Sequence, residues 1–417
     1  MANSEHLALI KQGVATWNQW YKSNLKVVPD LSLTDLSQLN LQGIDLRRAN
    51  LTQVNFSNTD LREANLTQAN LNKASLLKAN LSNANLSKAN LDYVIFSQAT
   101  IDRQTAIDRK YLQIYEIVNN FLCERNFSRC DLSNSNLFRV NLTNADLSHT
   151  NLTNVNLTNA ILNGAYLYKA DLRGANLTNA DLTNAYLSHA NLAKAYFGGA
   201  LCYGTYFKEA DLSFASFQTT KFSDKTMIDP KWYSVWEIVN CGAVKKNLTR
   251  ADLSNANLAG VNFKEANLTG AKLRNAILCG SNLRGANLVD ADLTGANFQK
   301  ADLTGVKLKS VVRDKSKGMA SLRHTQSSAL KNSDDTNQQS SSVPPEELTT
   351  IEVAAPQAAM TIPVDRSKSN KSILAWLFVG IVAIFATGAA IFLRNSEFSE
   401  PNLEPLEQNL EQIAPAN

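Results

Sequence analysis

The sequence predicts a mainly β chain wound into a column that turns a corner every five residues. A Leu or Phe returns at Leu51, Phe56, Leu61, Leu66, Leu71, Leu76, Leu81 and Leu86. Two residues before each stands a small or β-branched residue: Ala49, Val54, Thr59, Ala64, Ala69, Ala74, Ala79 and Ala84. A period of five fits neither regular element. A helix of 3.6 residues per turn drifts off one face, and the two-residue alternation of a strand breaks at every fifth position. Two positions of each five therefore point inward, and the other three are expected to face water.

From Ala49 to Asn90 the chain reads ANLTQ VNFSN TDLRE ANLTQ ANLNK ASLLK ANLSN ANLSK AN. This A(D/N)LXX pattern resembles the pentapeptide-repeat proteins. The resemblance implies a right-handed quadrilateral β-helix. Four repeats would make one square coil, with Leu or Phe on the axis and the small residue beside it at the corner.

A chain of 417 residues is long for one compact globule. A repeat column escapes that limit, because each coil touches only its neighbours and the core grows along one axis. Charge is nearly balanced, with 41 Lys and Arg against 37 Asp and Glu. Between Leu31 and Ser310 stand 29 basic and 23 acidic residues, an excess of six. That balance argues against electrostatic capture of nucleic acid, and equally against an acidic surface imitating DNA. The five cysteines show no CxxC or pairing pattern. Cys202 falls in an axial slot and Cys130 in a small inward slot, so both read as buried hydrophobes in a reducing compartment.

In chain order, residues 1–28 read as an N-terminal amphipathic capping helix. Leu7, Ile10, Val14, Trp17 and Tyr21 recur at spacings of three and four over residues 4–24, with Asn3 or Ser4 available as cap. No basic region is followed by an unbroken apolar run, so no signal peptide is expected. Repeat block 1 covers 29–101, with axial residues from Leu36, or loosely Leu31, to Ile101.

The period then stops at 102–126, DRQTAIDRKYLQIYEIVNNFLCERN, and again at 223–247, SDKTMIDPKWYSVWEIVNCGAVKKN. Set 121 residues apart, the two segments match, most visibly in Glu116-Ile117-Val118-Asn119 against Glu237-Ile238-Val239-Asn240. Each is predicted to hold an inserted helix, the second opened by Asp229-Pro230. Apolar residues cover so much of each helix that it must be largely buried. Either each helix plugs one stack and a new one starts beyond it, or each loops out of one continuous stack.

Block 2 covers 127–222 and block 3 covers 248–310. Axial slots number fourteen, twenty and thirteen in the three blocks, or near twelve coils and on the order of 55 Å of stacked structure at ~4.8 Å per coil. Gly or Asn is frequent at the last position of the five, which suits a tight, left-handed corner.

Residues 311–371 are rich in Ser, Lys, Asp, Gln and Pro and read as a disordered linker. Residues 372–393 follow as a transmembrane helix. The run from Ile373 to Leu393 lacks any charged side chain and has the length that crosses a bilayer core. Arg366, Lys368 and Lys371 precede it, and five glutamates mark the acidic C-terminal tail, 394–417. The basic side stays in the cytoplasm, giving a tail-anchored protein whose repeats are cytoplasmic, on a plasma or thylakoid membrane. Small residues one turn apart, Ala383/Thr387 and Ala386/Ala390, leave a homodimer open.

No catalytic set, metal-ligand cluster or cofactor motif stands out from the repeat. His149 and His189 share a slot two coils apart, too far to share an ion. The Asn-Leu-Thr triplets match a glycosylation sequon as a by-product of the repeat. One surface feature rises above the background. Tyr166, Tyr186 and Tyr206 each precede an axial residue and lie twenty apart, so they stack in one column where Asn or Asp is usual. Tyr196 and Tyr203 lie on neighbouring faces. The column is read either as an aromatic ladder between strands or as a protein-docking stripe.

These features predict a non-enzymatic, membrane-anchored scaffold. It presents a protein-interaction surface, to an unidentified protein partner, on the cytoplasmic side of a bacterial membrane. It looks like the forms with an N-terminal helix and inserted Glu-Ile-Val-Asn helices that are common in cyanobacteria. Two alternatives come with the resemblance. Some pentapeptide-repeat proteins mimic DNA and protect gyrase as acidic dimeric rods, a pattern from which this chain departs in charge, in its helices and in its expected anchor. Others would be accessory subunits that position a membrane enzyme or transporter.

Overall fold

The computed structural model describes residues 2–120 and 125–319. Their backbone forms a four-sided parallel β-coil. Bridges join residues twenty apart, as in Asp30↔Asn50↔Asn70↔Asn90, so four five-residue steps close one coil. Most bridges are single, because each side is short. Among the described residues only β1 (Leu201–Cys202) and β2 (Lys221–Phe222) pair over two residues.

One step shows how the sequence does this. The Leu46 carbonyl accepts from Ala49 N–H at 3.1 Å, closing a four-residue turn whose third residue, Arg48, has φ 59°. A left-handed third residue is what a type II turn requires. The chain then extends through Asn50 and Leu51, and Leu51 N–H donates to Asn70 O on the next coil at 2.8 Å. The left-handed slot is filled mostly by Gln, Lys, Asn, Glu, Arg and His as well as Gly, and even by Leu33, Tyr93 and Phe214, so the ladder on either side holds these residues where they are otherwise disfavoured. Glycine is required by space at Gly318, where an added Cβ would come within 2.5 Å of the Phe298 and Gln299 backbone; at Gly199 it would meet only the movable end of the Asn179 side chain.

The outward Asn or Asp differs from expectation. It is half-buried along much of the column, because its side chain works. Asn50 Oδ1 accepts from Thr52 N–H at 3.3 Å and from the Thr52 hydroxyl at 2.7 Å, while Asn50 Nδ2 donates to Asp30 Oδ1 one coil away at 3.0 Å. The Asn-Leu-Thr triplets are these turns: a carboxamide holds the corner and the hydroxyl completes it.

Inside, Leu and Phe fill the axis and Ala lines the corners, nearly all fully buried. Where Thr replaces Ala, its hydroxyl is satisfied. Thr59, Thr150, Thr205 and Thr220 donate to the carbonyls of Leu36, Phe127, Leu182 and Phe197. Cys202 sits on the axis, fully buried, and burial pushes its thiol well above the ordinary range. Cys130 is only half-buried and Cys241 exposed.

The N-terminal segment is two helices instead of one, α1 (Ser4–Lys11) and α2 (Val14–Ser23). The break is Gly13, at φ 108°. Asn3 caps α1, its Oδ1 accepting from Glu5 and His6 N–H. The pair covers the axis with Ile10 and Trp17. It also meets the exposed ladder of the first coil, a hazard left open at any bare sheet edge. Trp17 Nε1 donates to Asp45 O at 2.7 Å, Tyr21 OH to Arg47 O at 2.7 Å, and Asp30 N–H to His6 Nδ1 at 3.0 Å.

The inserted helices are α3 (Arg109–Val118) and α4 (Pro230–Cys241). Both are shorter than the interruptions in the repeat, since Ala106 and Met227 still pair with Asn85 and Tyr206. Asp229 is the N-cap residue and Pro230 follows it, but the Asp229 side chain makes no capping bond. Both helices bury apolar residues in the column: Ile114, Tyr115 and Ile117 from α3, and Trp232, Val235 and Ile238 from α4. One buried cluster runs from Ile10 to Met319 through both. The core is therefore continuous, with each helix lying within it as an interleaf.

The two junctions are built alike. Asn119 and Asn240 donate to the carbonyls of Phe96 and Phe217, and Tyr115 and Trp236 donate to those of Ala99 and Thr220. The matched Glu-Ile-Val-Asn segments therefore end on an asparagine that ties the helix to the coil preceding it.

The ladder also outlasts its last axial leucine. Asp292↔Val312 and Asn297↔Lys317 are bridged, so residues 311–319, expected in the linker, still belong to the column. Backbone pairing needs no particular side chain, and the exposed Arg313 in the axial slot hid it from the hydrophobic pattern. The rest of the expected linker, the expected membrane helix at 372–393 and the acidic tail lie outside the described residues. Among those residues no helix is long and apolar enough to cross a membrane.

The turn carboxylates make a pH prediction. In Asp35, Asp292 and Asp302 the carboxyl is held below its ordinary value of 3.8. The main cause is hydrogen bonding from the residue two ahead, Ser37, Thr294 or Thr304. A group with a depressed folded pKa adds stability that is complete above its unfolded value and fades as pH falls through the lower, folded one. Unfolding midpoints in urea are therefore expected to stay level from neutral pH to about pH 5, then fall steadily below about pH 4. A midpoint that rises on acidification would contradict these turns.

Candidate docking face

The repeat ladder positions the tyrosines directly. Tyr166, Tyr186 and Tyr206 each occupy the outward slot before an axial residue, and each N–H donates to the corner alanine of the coil below, Ala145, Ala165 or Ala185. Tyr166 pairs with Tyr186 and Tyr186 with Tyr206, so the three stand in one column. The Tyr166 and Tyr186 rings stack with centroids 5.0 Å apart and planes within 3°. They are 49% and 47% exposed. Tyr206 is half-buried and its ring makes no stacked pair with Tyr186. It lines a hollow of about 280 Å³ with Lys208, Met227 and Ile228, where the chain takes one extra residue on its way into α4.

Sequence reasoning missed the neighbouring corner. Tyr168 stands edge-on between two histidines, 5.7 Å from His149 and 5.4 Å from His189, centroid to centroid. The Lys169 ammonium lies 5.0 Å from the Tyr168 ring centre. His189 Nδ1 meets Glu209 Oε2 at 3.1 Å. The signal was present. His149 and His189 lie forty apart in one slot, and Tyr168 precedes the slot between them. Tyr203 is exposed at the corner leading into this face, but Tyr196, expected on a neighbouring face, stands ten residues or half a coil from Tyr186 and is exposed on the opposite face, paired with Asn176 and Ser216.

This face has broad exposed aromatic area, with the Lys169 ammonium at one corner. Such a composition favours contact with another macromolecule. Among the described residues no three His, Cys, Asp or Glu side chains converge to hold a metal ion, and no buried polar side-chain atom is left without a partner.

A model of pentapeptide repeats matches the chain between residues 30 and 101, 122 and 224, and 247 and 309, more than half of its length. The chain belongs to the pentapeptide-repeat family. Members form right-handed β-helices and are generally structural or interaction proteins.

Among solved structures, this pentapeptide-repeat protein is similar to HetL from the cyanobacterium Nostoc, a pentapeptide repeat protein involved in heterocyst differentiation regulation. Identity is 21%, over 68% of this chain and 88% of that one, with a TM-score of 0.16. A second pentapeptide repeat protein from Nostoc is 30% identical over 27% of this chain and 94% of its own, with a TM-score of 0.22. One from the thylakoid lumen of Arabidopsis thaliana is 28% identical over 27% of this chain and 76% of its own, at 0.16. A search of curated proteins returned no match.

The stacked pair gives a measurable consequence. Replacing Tyr186 with Asn, the usual residue of that slot, removes the ring pair and restores a turn-holding carboxamide. The expected net loss is about 0.5–1 kcal/mol in urea unfolding. A loss of several kcal/mol would mean that the column exists to hold the coils together.

Proposed function

We propose that this pentapeptide-repeat protein is a non-enzymatic scaffold, anchored in a bacterial membrane by residues 372–393. Its cytoplasmic column presents the Tyr166–Tyr186–Tyr206 face to a protein partner. The observation that carries the docking reading is the exposure of two stacked tyrosines where Asn or Asp would hold the turn at no cost in apolar surface. Exposed aromatic patches of this kind mark interaction sites. The anchor rests on the uncharged run from Ile373 to Leu393 and the basic residues before it.

The test is a photo-crosslinking residue placed at position 186 in the full-length protein in cells, with the same residue at position 274 in block 3 as control. One protein captured from position 186, not from 274, and lost when Tyr166 and Tyr206 are changed to Asn, is the expected result. Carbonate washing should leave the full-length chain in the membrane pellet. Capture that is equal at both positions, or a double variant that loses only melting temperature, would overturn docking. A chain that washes into the supernatant would overturn the anchor.

A further inference from the structure

The two junctions come from one duplicated module, so each is a control for the other. At both, the helix interrupts the ladder on most of the column. Among the described residues one direct backbone bond still joins coil to coil across each: Tyr93 N–H to Asn134 O at 2.8 Å, and Phe214 N–H to Asn255 O at 2.7 Å. At both, a lysine at the start of the helix reaches the coil beyond. Lys110 Nζ meets Ser133 Oγ at 3.1 Å and Asp131 at 3.6 Å. Lys231 Nζ meets Ser254 Oγ at 3.0 Å and Asp252 at 3.6 Å.

The coil before the helix is held differently. At the first junction, Asp92 accepts from Tyr111 OH at 3.0 Å and faces Lys110 at 3.8 Å, so the lysine spans both coils. The Tyr93 side chain crosses the seam as well, its hydroxyl donating to Asn154 O at 3.0 Å. At the second junction the residues 121 positions on are Ser213, Phe214 and Trp232. None of these repeats the first junction's set: Phe214 has no hydroxyl to reach across the seam, Ser213 has no carboxylate to face the lysine, and Trp232 carries an indole where Tyr111 has its hydroxyl. In their place a notch of about 440 Å³ lies open between the coils, walled by Tyr196, Phe214 and Ile277, with Lys194 and Asn257. Tyr196 and Ile277 stand where the first junction carries Ser75 and Asn156.

We infer that the second junction is a built-in hinge of the column, where the face carrying Phe214 opens without unfolding, while the first junction is latched by Asp92, Tyr93 and Tyr111. Opening at the second seam breaks one backbone bond, strains the half-exposed Lys231 contacts to Asp252 and Ser254, and parts an apolar notch that is already open. Opening at the first must also break Tyr93 OH–Asn154, Tyr111 OH–Asp92 and the lysine bridge. Core packing through α4, with Val235 and Ile238 fully buried, keeps the far side of the second junction shut. The motion is thereby confined to one edge.

Hydrogen exchange on the full-length protein, kept in detergent or lipid as needed and read by peptide mass spectrometry, tests this. Under native conditions the amide of Phe214 is expected to exchange about tenfold faster than that of Tyr93, since each lost hydrogen bond lowers the cost of opening. Transplanting the latch by Ser213→Asp with Phe214→Tyr should slow exchange at 214. Removing it by Asp92→Ser with Tyr93→Phe should speed exchange at 93. Each pair of variants is read against exchange at Leu172, a core position in block 2, which reports whether the column is still folded. Equal exchange at 93 and 214, or faster exchange at 93, would overturn the hinge. So would transplanted residues that leave 214 unchanged while Leu172 stays protected.

Discussion

Everything in this molecule depends on one coincidence of geometry. The backbone ladder repeats at twenty residues, and four steps of five bring the same kind of side chain back to the same place. Each coil then offers its neighbour an identical surface: axial Leu on Leu, Ala beside Ala at the corner, carboxamide on carboxamide outside. Burial and hydrogen bonding are satisfied by one translation along the axis. The left-handed corner residue is the strain that this arrangement sustains. It is held at Lys73 or His189 as firmly as at Gly270, because bonds to the coils on either side leave the backbone no alternative.

A column of this kind has two ends and, here, two interruptions, and the chain treats them as one problem. Wherever the ladder stops, a helix supplies the missing partners. α2 covers the first coil with Trp17 and Tyr21, and with Asn18, whose Nδ2 donates to Gly43 O and whose Oδ1 accepts from Asp45 N–H. α3 and α4 cover interior coils with Tyr115 and Trp236, which donate to carbonyls that another coil would have engaged. Helices suit the task because their side chains can reach over an exposed edge while their own backbone bonds remain internal. The duplicated module repeats the solution, then diverges where divergence costs the core nothing, on the outer face at Tyr93 and Phe214.

What was legible in the sequence follows from what repeats. The axial leucines, the corner alanines and the tyrosine column all lie at multiples of five or twenty, so their positions could be counted. The 121-residue match likewise announced two equivalent helices. Other features carried no period of their own. Gly13 breaks the N-terminal helix, yet an amphipathic pattern passes straight through it. The coil of residues 311–319 continues on backbone bonds alone, with Arg313 in a slot otherwise reserved for leucine. The half-buried Asn and Asp looked like solvent-facing polar residues because polarity does not disclose a hydrogen bond. Tyr168 escaped for a related reason: its partners, His149 and His189, lie a coil above and a coil below, and only the stacked structure brings the three together.

The twenty-residue coil itself can be tested by covalent spacing. Cysteine placed at Thr158 is paired in turn with cysteine at Arg173, Thr178 or Thr183, which occupy the same slot of the repeat fifteen, twenty and twenty-five residues on. Under mild oxidation only the 158–178 pair should close a disulfide, because only those two lie one above the other on adjacent coils. Closure that favoured the 158–173 or 158–183 pair, or that ignored spacing altogether, would contradict a four-sided column and with it every placement described above.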